Sequence, residues 1–124
     1  MEIHDVVTFN DRGALRQWLV ENHLTERQCL IATSRGKRIL PGTLPYLEVV
    51  EEALCFGWID STVKKMPDGR LAQRISPRRS NSHWTDLNIL RCRDLERRGM
   101  MTPAGFAAMP KPLNILILDT TRFI

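Results

Sequence analysis

Asp60, Arg74 and Arg78 lie in one short stretch of chain with Trp58, Trp84 and Asn88, a set of side chains suited to holding an anion. A guanidinium makes forked, charge-assisted hydrogen bonds to carboxylate or phosphate oxygens, and a neighbouring carboxylate can hold it in the required orientation. Indole rings supply flat walls, and an amide such as Asn88 fixes a ligand's orientation. The same residues also admit a structural reading. In that reading Asp60 and an arginine form an ion pair inside the fold, Trp84 is core, and Asn88 and Arg91 bond carbonyls of the 77–81 loop. The residue types leave both readings open.

Other chemistries find less support. His4, His23 and His83 share no helical spacing, and neither C-x-x-C nor H-x-x-x-H occurs, so neither a metal site nor a cofactor is expected. No P-loop, G-x-S-x-G, H-E-x-x-H or dinucleotide fingerprint is present, and no residue is assigned a catalytic role. Cys55 falls in the last turn of a helix, where the helix dipole disfavours a thiolate. A small hydrolase or transferase using Asp60 as base ranks last, because it needs a carboxyl with a raised pKa in a pocket.

The elements that must position these residues can be read from local signals. Asn10 or Asp11 caps a first helix with Leu15, Trp18 and Leu19 on one face, ending near Asn22. The run Cys29 to Thr33 reads as a buried strand. Pro45 opens a second helix in which Leu47, Val50, Ala53 and Leu54 form the apolar face, with Glu48, Glu51 and Glu52 mostly opposite; Gly57 ends it. Trp58 to Lys65 and Leu71 to Ser76 form a hairpin about Pro67-Asp68-Gly69. A three-residue turn there pairs Thr62 with Arg74 and Asp60 with Ser76, making Arg74 a diagonal neighbour of Asp60. Ser82 caps a helix to about Arg98 whose one broad face carries Trp84, Leu87, Asn88, Arg91, Cys92 and Leu95. Thr102-Pro103 starts a short helix, and Leu113 to Leu118 reads as a terminal strand. The order αβαββααβ implies a single α+β domain over residues 1–124, with a small, mostly antiparallel sheet packed against helices.

Bulk properties narrow the partners. At 124 residues the chain can bury a core unaided, and three widely spaced cysteines argue against a disulfide framework. The absence of a long apolar run and of a leader-like start points to a cytoplasmic protein without a membrane span. The formal charge of +4 is unevenly spread: residues 1–59 carry six basic and eight acidic side chains, residues 60–99 ten and five. A basic face attracts a small anionic ligand or, as an alternative, nucleic acid through the 64–98 stretch. That stretch lacks the interleaved aromatics of single-strand binders, and a solvated arginine-rich helix would give the same count. A protein partner is a further expectation, and Leu113 to Leu118, left as an edge strand, would allow a homodimer.

Several uncommon residues recur in an order that resembles the YdeI/OmpD-associated family, also called bacteriocin-protection proteins. They are Ala53-Leu54-Cys55-Phe56-Gly57-Trp58-Ile59-Asp60, Ser76-Pro77-Arg78-Arg79, Ser82-x-Trp84-x-x-x-Asn88 and Gly99-Met100-Met101-Thr102-Pro103-Ala104-Gly105. The resemblance covers most of residues 8–109. It implies a small soluble bacterial protein linked to tolerance of cationic antimicrobial peptides or other stress, without an assigned reaction. Members usually continue with a further helical segment, whereas residues 110–124 do not match the family pattern.

Overall fold

Local signals nucleate most of the elements in the computed structural model, which describes residues 5–110. The Asp11 carboxylate accepts from the Ala14 amide at 2.9 Å and starts helix α1, Arg12–Asn22. Strand β1, Cys29–Ser34, is buried along its whole length. A two-residue strand β2, Leu44–Pro45, leads directly into helix α2, Tyr46–Cys55, so Pro45 stands before the helix rather than inside it. Gly57, at φ +75°, turns the chain into strand β3, Trp58–Lys65. The 66–70 turn, with Gly69 at φ +92°, returns it as strand β4, Leu71–Pro77. Helix α3, Asp86–Arg97, is capped by Thr85 rather than Ser82, and helix α4, Pro103–Ala108, by Thr102. The terminal strand expected at 113–118 lies outside the described residues.

The fold is α+β. Its sheet has the order β2-β1-β4-β3, parallel between β1 and β2 and antiparallel elsewhere. Leu15 and Leu19 of α1, Val49, Val50, Ala53, Leu54 and Cys55 of α2, and Cys92 and Leu95 of α3 pack on the sheet face that carries Ile31, Trp58 and Ile75. These residues remove their apolar area from water, which supplies the main favourable contribution to folding.

Within that core α2 also buries charge. Glu51 and Glu52, expected opposite the apolar face, are 8% and 0% exposed, whereas Leu47 is 48% exposed. Ion pairs account for the difference. Arg12 donates to Glu52 at 2.6 Å and to Glu51 at 2.8 Å, Arg16 to Glu52 at 3.0 Å, and Arg98 to Glu51 at 3.1 Å. Arg16 also reaches the Met100 carbonyl at 2.6 Å. Burial opposes the charge on Arg12, but its bonds to Glu52 and Glu51 prevail and raise its pKa.

The hairpin follows its expected register only in part. Lys65 pairs with Leu71 and Val63 with Gln73, as the turn dictates. Beyond Val63 the register shifts by one: Asp60 faces Ile75 and Ile59 faces Ser76, leaving Ser61 and Thr62 opposite Arg74. This is a β-bulge, one extra residue in one strand of an antiparallel pair. The fully buried Gln73 amide donates to the Ser61, Thr62 and Arg74 carbonyls at 3.4, 3.3 and 3.1 Å, across the irregularity.

The last contact that sets the architecture is between helix ends. The Thr102 hydroxyl and amide both donate to the Cys55 carbonyl, at 2.5 and 3.1 Å. A Cβ on Gly105 would overlap that same carbonyl oxygen, and one on Gly57 would lie 2.8 Å from the Ala104 oxygen. Two predictions follow from these packings. Glu52→Gln should cost roughly 3 kcal/mol, since it strips a buried partner from two guanidinium groups; urea midpoints measure the loss. Gly105→Ala should cost about 2 kcal/mol by overpacking and lower the midpoint in the same assay.

Candidate functional site

After Pro77 the chain leaves β4 as a loop running to Thr85, pinned at its start by the Arg78 amide, which donates to the Gly57 carbonyl at 3.0 Å. Consecutive arginines at 78 and 79 take opposite roles in this loop. Arg78 is half-buried, its guanidinium 3.8 Å above the Trp84 ring, and its Nη1 donates to the Ser82 hydroxyl at 3.1 Å and the His83 carbonyl at 3.2 Å. Its Nε and Nη2 are buried without a partner among the described residues. Burial holds its pKa below the usual guanidinium value, with Cys92 and Asp60 opposing only in part. Arg79 is exposed.

Two grooves flank the loop. A polar one of about 410 Å³ is lined by Arg27, Arg74 and Arg79 together with Ser76, Asn81 and Ser82, and by Ile59 and Pro77. A second, of about 580 Å³, is bordered by Arg78, Arg79, Ser82 and Trp84 on one side and by Ala104, Ala107, Ala108, Met109 and Pro110 on the other. Among the described residues, Arg27, Arg74 and Arg79 have no carboxylate within ion-pair range. Arg74 is steered by neutral groups only, donating to Gln28 Oε1 at 2.8 Å and to Ser61 Oγ at 3.0 Å. Three guanidinium groups with hydroxyl and amide neighbours can bind a multiply charged oxyanion.

The six residues singled out in the sequence are not gathered in one cleft. Trp58 is 1% exposed, stacks edge-on against Trp18 at 5.8 Å, and donates its indole N–H to the His23 carbonyl at 3.3 Å; it is core, not a wall. Asp60 shares the helix-covered face with its partner Ile75, while Arg74, one residue along, points to the opposite face. Asp60 therefore does not orient Arg74. Its Oδ2 instead accepts from the Tyr46 hydroxyl at 2.7 Å, and burial followed by that bond raises the phenol's pKa. Asn88 accepts from Arg91 at 3.0 Å and lines neither groove. Only Arg78 and Trp84 meet as expected.

Sequence reasoning did not find Arg27, Arg79 and Asn81 as site residues. Ser76 could have been found, because it alternates with Arg74 on β4. Arg27 could not, since it reaches the groove only through the pairing of β1 with β4, in which Leu30 faces Arg74. The broad helix face expected on α3 is narrower: Cys92 and Leu95 are buried, but Leu87 is 55% exposed.

No thiol is poised for chemistry. Burial pushes Cys55 up to about 11 and Cys29 and Cys92 up to about 12. Among the described residues no group of three or more His, Cys, Asp or Glu side chains is arranged to hold a metal ion, and no helix is long and apolar enough to cross a membrane.

This small α+β domain coincides in extent with a family defined by sequence. The model described as Domain of unknown function (DUF8412) matches residues 7–108, and the chain belongs to that family. The match opens at Val7, which bridges to β1, and closes at Ala108, the last residue of α4, so it takes in every described element. Neither the curated proteins nor the solved structures contain a match.

The cysteines give a direct check on this part of the structure. A disulfide reagent such as dithionitrobenzoate at pH 8 should label essentially none of them in the native protein and all three in denaturant. Rapid native labelling of Cys55 would contradict its burial.

Proposed function

We propose that this is a binding domain for a small, multiply charged oxyanion such as a phosphate group, held in the polar groove by Arg27, Arg74 and Arg79. The observation that carries the reading is the convergence of three guanidinium groups that no carboxylate neutralises among the described residues. Left facing one another they repel, and an anion between them relieves that repulsion while making charge-assisted hydrogen bonds. Ser76, Asn81 and Ser82 add donors that complete an oxyanion's coordination. The groove volume of about 410 Å³ lies in the range of small-molecule sites. No catalytic group is assigned, and binding is the activity proposed. For the cell, the resemblance to YdeI/OmpD-associated proteins supports a role for such binding in tolerance of cationic peptides or other stress.

Nucleic acid is the second reading, and one observation favours it. A further groove, lined by Arg35, Arg38 and Lys65, lies at the Leu71 end of β4, whereas the polar groove lies at the Pro77 end. The two ends of this seven-residue strand lie roughly 20 Å apart, a distance an extended phosphate backbone can span.

Calorimetric titration with inorganic phosphate at low ionic strength tests the first reading. Arg79→Ala and Arg74→Ala should each weaken binding about tenfold, about 1.4 kcal/mol, while Arg97→Ala at the exposed end of α3 should have no effect. Equal affinity in all four proteins would remove the groove as the site. A short oligonucleotide that binds far more tightly than phosphate, with affinity falling steeply as salt rises, would favour the second reading instead.

A further inference from the structure

The second groove differs from the first in having one charged wall and one apolar wall. Arg79 and Ser82 line both grooves, so the two meet at the loop. Across from the arginines, the second groove is walled by the small side chains of α4 and by Met109. Its inner side is closed by Trp84 under the Arg78 guanidinium, a flat surface held in place by Ser82 and the His83 carbonyl. Ala104, Ala107 and Ala108, the side chains that α4 turns towards this groove, are small and leave the space open. A bare inorganic anion makes no use of such a wall, whereas a molecule with an apolar part would remove that part from water there.

We propose that the ligand is a soluble organic phosphate monoester. Its phosphate sits among Arg27, Arg74 and Arg79, and its aromatic or aliphatic body lies along Ala107 and Met109 beside Trp84. This rests on the anion-binding reading and extends it by naming the class of molecule. Arg79 stands at the junction and contacts the phosphate. Arg78, already bonded to Ser82 and His83, serves as platform.

The test compares two probes, inorganic phosphate and 1-naphthyl phosphate, on the wild-type protein, Ala107→Trp and Arg79→Ala. Ala107 is exposed, so the bulky replacement fills the groove without entering the core. Naphthyl phosphate should bind wild type about tenfold more tightly than phosphate. Ala107→Trp should abolish that advantage and leave phosphate affinity unchanged. Arg79→Ala should weaken both probes by a similar factor, keeping their ratio, since distant contributions add. Phosphate binding that depends on Arg79, with no naphthyl advantage or no effect of Ala107→Trp, overturns the extension and leaves the anion site standing. Failure of both probes to bind overturns both. Vesicles containing phosphatidic acid provide the other source of a phosphate monoester: co-sedimentation with them, without a preference for naphthyl over inorganic phosphate in solution, would assign the chemistry to a lipid headgroup and reject a soluble ligand.

Discussion

Two adjacent carboxylates on one helix hold this domain together. Glu51 and Glu52 are buried on α2, and their arginine partners come from α1 and from the end of α3. Charges removed from water are costly unless fully paired, so the three helices must meet at these two residues or leave several ions uncompensated. The network does more to fix which helix faces which than to add net stability. Arg16 extends it to the Met100 carbonyl, just before α4 begins, and so ties the helical layer to the segment that packs on the end of α2.

That segment explains several of the uncommon residues in the sequence. Thr102 caps its own helix and occupies the carbonyl that ends α2. Gly57 and Gly105 are glycines because the two backbones approach too closely for a side chain. The Gly57 carbonyl also anchors the start of the arginine-bearing loop. The contact that closes the helical layer thus also fixes the loop beside which both grooves form. Arg78 turns inward onto Trp84, and Arg79 is left exposed where the two grooves meet.

What could be read from the sequence follows from how local each determinant is. The Asp11 and Thr102 caps, the glycine stop at 57, the turn about Pro67-Asp68-Gly69 and the α+β class all depend on neighbouring residues, and they stand. The burial of Glu51 and Glu52 could not be seen locally, because it depends on arginines about forty residues away or more. The six candidate residues are not gathered in one cleft, for a local reason. Its register was right from the turn as far as Val63, and a single extra residue then moved Asp60 to the other face from Arg74. Nothing in Ser61-Thr62 announces a bulge, since both residues suit a regular strand. The basic cluster itself was visible as an excess of arginine, but its membership depended on β1 lying beside β4.

The bulge has a consequence for the way this chain can change over generations. Removing one codon at 61 or 62 would restore an unbroken ladder, and by backbone criteria the hairpin would be more regular than before. Yet the buried Gln73 amide would lose the paired Ser61 and Thr62 carbonyls it now bonds, and removal of Ser61 would take away the hydroxyl that steers Arg74. The surplus residue thus acts as an aiming device. Strand length here is constrained by where one guanidinium points, and a shortened lineage would be expected to keep its fold while losing the present shape of the polar groove.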